Sequence, residues 1–353
     1  MRDSIINLHV CSEDKFMPPF IDFVKENFPD ASNVYFIKGR SKRSLYDPLT
    51  PQGENKVTRV QKIQELAIII RLLYVSKRVV LHGFTNKYVI IFLAVNPWLH
   101  AKCYWSIWGG ELYAFNKKKN LPRTVYDVFK SSVIRRVGHI LTYIPGDVEL
   151  ARKWYGAKGK HIECLMYTSN VITDNVPEPE KDSIKKSEPL KVMVGNSAAI
   201  SNRHLFVFER LKSMQGTGYT VLSPLSYGDK QYALEVCEKG KEIFGERFCA
   251  ITEFMQYKEY LKLLNDVDVA IFAHERQQAM GNIIMLLALG KKVYMNKSST
   301  LAGRLGDIGL VVFDVNELNL DPIGKEESVS NSRIIREKFN ATVLKEQLRA
   351  ICD

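Results

Sequence analysis

The sequence predicts an α/β protein built from two doubly wound domains that face each other across a cleft. Three observations carry this expectation. The chain has 353 residues, more than one ordinary core accommodates. Short β-branched runs alternate with longer amphipathic ones along its length. One polar stretch near the middle, residues 173–189, holds three prolines and no apolar periodicity, as an interdomain linker should. The expected domains are therefore residues 1–172 and 190–353.

In the first half, strands are expected at residues 5–10, 34–38, 78–83, 102–107, 138–143 and 161–167. Helices are expected at 56–75, 123–136 and 147–155. The first of these places Val60, Ile63, Ala67, Ile70 and Leu73 on one helical face. After the linker, residues 190–195, 219–225, 267–273 and 291–296 read as near-continuous apolar strands, the pattern of a parallel sheet covered on both faces. Helices are expected between and around them at 202–214, 230–244, 255–264 and 282–289.

Composition excludes several classes. With 46% hydrophobic and 25% charged residues the chain is globular rather than disordered. Its longest apolar runs fall far short of the ~20 residues that span a bilayer. The amino terminus carries an acidic residue at Asp3 and reads as a first strand, so no signal peptide is expected. Six scattered cysteines without CxxC or zinc spacing are expected to be reduced and buried. Neither a metal nor a cofactor is expected, since no Walker loop, GxGxxG or metal-ligand cluster occurs.

Charge is unevenly distributed. Residues 1–172 contain 26 Lys/Arg and 14 Asp/Glu, a net of +12, whereas residues 173–353 contain 24 and 25, a net of −1. A one-sided field favours a polyanionic partner: nucleic acid, an anionic membrane surface or a lipid phosphate.

Open α/β sheets bind ligands at the carboxyl ends of their strands, and four stretches there carry polar chemistry. Gly195-Asn196-Ser197 ends one strand, and Asn202 stands at the following helix start. A plain strand–turn–helix connection is the competing reading. Arg276, Gln277 and Gln278 follow the strand at 267–273, ahead of Gly281, Asn282 and an apolar helix. That arrangement suits a diphosphate, because helix-start amides and an arginine both attract an anion. Tyr227, after the strand at 219–225, is placed to meet a base or ribose. In the first half, Trp108, Gly109, Gly110 and Glu111 end a strand. The aromatic can stack on a sugar ring and the carboxylate can take a proton from an acceptor hydroxyl; Trp in the core and Glu111 as a helix-start residue is the alternative. His82 and Asp147 also sit at strand ends and are expected to line the same crevice. Lys117, Lys118 and Lys119, with Arg123, Lys130, Arg135 and Arg136 beyond them, suit a surface lying against anionic headgroups.

The stretches at 104–113, 192–204, 224–228 and 271–297 resemble, in this order, the bacterial TDP-N-acetylfucosamine:lipid II N-acetylfucosaminyltransferases of enterobacterial common antigen synthesis. The resemblance implies a GT-B fold of Rossmann-like domains, with an acceptor-binding first domain and a nucleotide-sugar-binding second one. It implies a TDP-sugar donor, a polyprenyl-diphosphate-linked acceptor, and work as a peripheral protein at the cytoplasmic face of the inner membrane. The family's Trp-Gly-small-acidic element falls on Trp108–Glu111. Its Gly-Asn-Ser falls on residues 195–197, its Arg-Gln-Gln on 276–278 and its glycine on Gly281. The chain differs in carrying Glu rather than Asp at 111, a paired Gly109-Gly110, and His274-Glu275 before the arginine. Glu111 is then the base of an inverting transfer or the acceptor-positioning group of a retaining one. An O-antigen or capsule enzyme with a similar amino-deoxysugar fits equally. A nucleotide-sugar epimerase is the rival within the fold. A nucleic-acid-binding protein is the rival outside it, and no nucleic-acid motif supports that reading.

Overall fold

The computed structural model describes residues 6–38, 45–46, 59–116, 121–173, 175–179, 189–214 and 218–353. The chain forms two compact units, residues 1–169 with 342–353, and residues 170–341. The first runs β1 (Ile6–Ser12), α1 (Met17–Asn27), β2 (Ser32–Lys38), β3 (Leu45–Tyr46), α2 (Arg59–Val75), β4 (Arg78–His82), α3 (Lys87–Val95), β5 (Cys103–Ser106), α4 (Leu121–Arg136), β6 (His139–Leu141), α5 (Pro145–Tyr155) and β7 (Lys160–Ile162). Its sheet has the order β3-β2-β1-β4-β5-β6-β7, parallel except for β3 at the edge.

The second unit runs β8 (Leu190–Val194), α6 (His204–Lys212), β9 (Tyr219–Pro224), α7 (Lys230–Phe244), β10 (Phe248–Ile251), α8 (Tyr257–Asp266), β11 (Val269–Phe272), α9 (Met280–Ala288), β12 (Lys292–Met295), α10 (Thr300–Asp307), β13 (Phe313–Asp314) and α11 (Lys325–Lys338). Its sheet, β10-β9-β8-β11-β12-β13, is wholly parallel. The last helix, α12 (Ala341–Cys352), belongs to the first unit from Thr342 onward. There Gln347 accepts a hydrogen bond from the Leu165 amide at 2.8 Å. The sequence boundaries keep that helix with the second half.

Each sheet reverses its winding at one place, between β1 and β4 in the first unit and between β8 and β11 in the second. Such switch points open a crevice at the strands' carboxyl ends. The central strands β1, β4, β8, β11 and β12 are buried on both faces, whereas the edge strands β7 and β10 keep exposed residues. In β1 and β4 alternate residues divide. Leu8, Val10, Val79 and Leu81 enter a core with Leu73, Leu93 and Val133, while His9 and His82 point to the other face.

Helix starts follow ordinary capping chemistry where a cap is present. Asn86 accepts from the amides of Tyr88 and Val89, and Asp229 from those of Gln231 and Tyr232. Several elements depart from the sequence expectation. The strand expected at 161–167 ends at Ile162, and further on Met166 takes a left-handed conformation (φ 66°) incompatible with an extended run to 167. The helix expected from 202 starts at His204, after a 3₁₀ turn over Ile200–Asn202. Cys249, expected to be buried, is exposed on the edge strand β10, and Cys237 is half-buried; the other four cysteines are buried. Among the described residues, no helix is long and apolar enough to cross a membrane.

Candidate active site

In the second unit three sequence stretches meet at the β8/β11 switch point. Asn196, just past β8, donates from Nδ2 to Tyr227 Oη at 2.8 Å and accepts at Oδ1 from Gln278 Nε2 at 3.1 Å. Gln278 Oε1 accepts from Ser201 Oγ at 2.7 Å, and Ser201 Oγ accepts from Arg276 Nη2 at 3.5 Å. The loops after β8, β9 and β11 are thus tied into one polar cluster. Gly195 permits it. Its φ is +70°, and a Cβ there would stand 2.6 Å from His204 Nε2 and 3.1 Å from Asn202 Cγ.

Asn202 and Ser197 do not present themselves to a ligand as expected. Asn202 is fully buried and donates to the Ser197 carbonyl at 2.7 Å and to Ser197 Oγ at 3.1 Å, so it braces the loop from within. Tyr227 is exposed, and Arg276, Gln277, Gln278, Gly281 and Asn282 are half-buried.

The helix beyond is not led by glycine. α9 begins at Met280, and its N-cap is Ala279, held left-handed at φ 58° with no side-chain cap. A non-glycine residue in that region stores strain. The first-turn amides, Gly281 and Asn282 among them, have no intrahelical acceptor and no capping side chain, which leaves a partial positive charge beside Arg276. His274 is buried, and burial lowers it to about 4, so it is neutral. Glu275 is exposed and pairs with Arg203 at 3.1 Å.

The first unit holds a second polar arrangement, at the end of β4 and β5. Of the two tryptophans, Trp105 is fully buried in the core and Trp108 is partly exposed. Glu111 Oε1 accepts from Trp105 Nε1 at 3.1 Å and from the Trp108 amide at 2.8 Å. This closes a turn whose Gly109 has φ +86°. The Glu111 carbonyl accepts from Lys130 Nζ at 3.4 Å and Tyr155 Oη at 3.3 Å. Burial raises the Glu111 carboxyl above its ordinary range, against the pull of these hydrogen bonds and of Lys130.

His82 is fully buried and so does not line an open surface as expected. It belongs to a chain of hydrogen bonds that the sequence did not reveal. Asn33 Nδ2 donates to the Ala31 carbonyl, which leaves Asn33 Oδ1 to accept from His9 Nε2 at 3.1 Å. The remaining contacts are His9 Nδ1 to His82 Nε2 at 3.0 Å, His82 Nδ1 to Tyr167 Oη at 2.7 Å, and Trp108 Nε1 to Tyr167 Oη at 2.5 Å. One proton assignment satisfies all of them: every bond donates in the direction from Trp108 through Tyr167, His82 and His9 to Asn33. It requires both imidazoles to be neutral. Burial lowers His9 to about 4 and lowers His82 as well, with repulsion from the neighbouring ring adding to the effect. Trp108 is therefore fixed twice, by its indole through Tyr167 and by its amide through Glu111.

Asp147, also expected in the crevice, is fully buried in the first turn of α5 and accepts from Tyr113 Oη at 3.2 Å. Lys130 is buried and paired with Asp127 at 3.2 Å, so it is not part of an outer basic surface. Lys117, Lys118 and Lys119 lie outside the described residues. Tyr167 and His9 are found only by the fold. The one signal for His9 was its place, with Asn7, on one face of a strand whose other face is apolar.

Residues 22–332 match the sequence profile of the family described as 4-alpha-L-fucosyltransferase, glycosyl transferase group 56. Three solved structures share the fold. A glycosyltransferase from Rickettsia africae is 14% identical with a TM-score of 0.66, covering 99% of this chain and 97% of its own. Anabaena HepE in complex with UDP is 10% identical with a TM-score of 0.66, covering 98% and 99%. WaaG, a glycosyltransferase of lipopolysaccharide biosynthesis, is 12% identical with a TM-score of 0.62, covering 99% of each chain. At such identities the likeness carries the GT-B fold alone, and it is the profile match that makes the chain a transferase rather than an epimerase. The chain belongs to the 4-alpha-L-fucosyltransferase family, glycosyl transferase group 56, and is a nucleotide-sugar-dependent glycosyltransferase.

Proposed function

We propose that the second unit holds a TDP-linked 4-acetamido-4,6-dideoxygalactose-like sugar and that the first binds a polyprenyl-diphosphate-linked saccharide, in bacterial surface polysaccharide synthesis. The observation that carries the donor site is the tied cluster of Asn196, Tyr227, Gln278, Ser201 and Arg276 beside the uncapped start of α9. In this reading Arg276 and the first-turn amides hold the diphosphate, Gln277 and Gln278 orient it, and Tyr227 meets the nucleoside. HepE, in complex with UDP on the same fold, supports a nucleotide as a ligand of this chain. The family's fucosyl substrate supports a 6-deoxyhexose.

In an inverting transfer the acceptor oxygen attacks the anomeric carbon while the bond from that carbon to the diphosphate oxygen breaks. The acceptor's proton passes to Glu111, and the nucleoside diphosphate departs with the bonding pair. Negative charge grows on that leaving group, where Arg276 and the helix start favour it. A carboxyl raised by burial is the stronger base once ionised. The protein then works at the cytoplasmic face of the inner membrane, where a lipid-anchored acceptor is presented.

The test is transfer of labelled sugar from TDP-, UDP- and GDP-linked 6-deoxyhexoses to a polyprenyl-diphosphate saccharide. Transfer from the TDP-sugar is expected. Thermal stabilisation by UDP or GDP but not TDP, with transfer only from their sugars, would overturn the donor assignment.

A further inference from the structure

The first unit carries an apolar surface that none of the described residues covers. α3, with the sequence KYVIIFLAV, buries Val89, Ile90 and Leu93 in the core. Its opposite side is equally apolar: Tyr88 is 62% exposed, Val95 59%, and Ile91 lies between them at 36%. These three recur at helical spacing and form one stripe. Trp98, in the 3₁₀ turn that follows, extends the stripe at 65% exposure. The neighbouring α4, which packs against α3, exposes Val125 and Val128. At the far end Tyr74 of α2 joins the patch, its ring edge-on to Phe92 and its hydroxyl donating to Asn96 at 2.9 Å.

The charge around this patch has one sign. Between Glu65 and Glu111 the sequence contains no acidic residue, but it contains Arg71, Lys77, Arg78, Lys87 and Lys102. The single acid of α4, Asp127, is buried against Lys130. At the end of the same helix Arg135 and Arg136 are exposed. Lys87 lies over the Tyr88 ring at 5.1 Å, its ammonium group beside the apolar stripe. An exposed aromatic and aliphatic face of this extent, rimmed by cations without a single exposed carboxylate between Glu65 and Glu111 among the described residues, is complementary to an anionic lipid surface. Apolar side chains enter the headgroup region, Tyr and Trp settle at the interface, and Lys and Arg meet the phosphates. A second copy of the chain would bring the same cations against themselves.

We propose that the face formed by α3, the turn carrying Trp98, and α4 docks the protein on an anionic bilayer, an inference that rests on the reading of a lipid-anchored acceptor. It centres the contact on the apolar side chains of α3 and α4 with a basic rim, whereas the sequence pointed to the basic cluster of Lys117–Lys119 with Arg123, Lys130, Arg135 and Arg136.

The experiment uses the full chain with vesicles of phosphatidylcholine, alone or with an equal part of phosphatidylglycerol. Sedimentation with the mixed vesicles is expected. Trp98 emission should shift to the blue and be quenched by brominated lipid, and the Trp98→Phe variant should lose much of that quenching. A triple variant, Ile91→Ser, Trp98→Ser and Val128→Ser, should weaken vesicle binding by ~10-fold or more. Its thermal stabilisation by TDP and its transfer to a water-soluble acceptor should persist. Those two readouts keep failure of this proposal separate from failure of the donor assignment. Unchanged vesicle binding by the triple variant would overturn the proposal. So would a parent that ignores anionic vesicles but sediments as a dimer, with the triple variant monomeric, since the occupant would then be a second copy.

Discussion

Glu111 braces the turn after β5, and two substitutions separate that duty from the proposed role as base. Its Oε1 is the shared acceptor for Trp105 Nε1–H and the Trp108 amide. Glu111→Gln retains an oxygen for both donors and removes a charge that burial disfavours, so stability should change by less than ~1 kcal/mol. Glu111→Ala leaves both donors without an acceptor, and Trp105 is fully buried, beyond the reach of water. At ~1–3 kcal/mol for each orphaned donor, the loss should be ~2–6 kcal/mol, a large share of the ~5–15 kcal/mol that holds an ordinary domain together. If the carboxylate also takes the acceptor's proton, turnover of the Gln variant should fall at least ~100-fold while nucleotide binding is kept. Urea unfolding monitored by tryptophan fluorescence measures the first effect, and nucleotide release from the sugar donor measures the second. A Gln variant with near-normal turnover would refute the base. An Ala variant as stable as the parent would refute the bracing of the turn.

Arg276→Ala should weaken TDP binding by ~1.5–3 kcal/mol with the fold intact, measured by calorimetry; unchanged affinity would remove Arg276 from the diphosphate site. Acid should destabilise both units, because burial lowers His9, His204 and His274 to about 4. Stability contributed by a lowered histidine is complete above the unfolded value near 6.5 and is lost as pH falls toward 4, by up to ~3 kcal/mol per ring. Urea midpoints should accordingly drop between neutral pH and about pH 5, and a flat profile there would contradict neutral buried rings. Reversing Lys117, Lys118 and Lys119 to Glu should reduce vesicle binding at low salt by ~1 kcal/mol or more per charge. Binding as tight as the parent's would leave these lysines without a part in the membrane contact.

The sequence made the architecture legible because a parallel sheet writes itself as apolar runs, and β4, β8, β9, β11 and β12 each lie within the runs expected of them. It was less legible where one apolar run fits two structures. KYVIIFLAV carries no periodicity that separates a buried strand from a helix, and only its Asn86 cap and flanking strands settle α3. The opening of α1 has Pro18 and Pro19, which suggest a turn but in fact start a helix, where a missing amide costs nothing. At the polar cluster past β8, β9 and β11, the three stretches were visible as strand ends. Their hydrogen bonds to one another were not, because Asn196, Tyr227 and Gln278 are brought together only by strand order. The same holds for His82, whose partners His9 and Tyr167 lie 73 and 85 residues away.

The return of α12 to the first unit has a consequence for how the molecule is made. Residues 342–353 complete a unit whose other strands and helices are all synthesised before residue 170. On the ribosome, the first unit must therefore wait with the face contacted by Gln347 and Cys352 uncovered until the whole of the second unit has emerged. A truncation or bulky fusion at this end is then an injury to the amino-terminal unit, the one that carries Trp108 and Glu111, although it lies more than two hundred residues away along the chain.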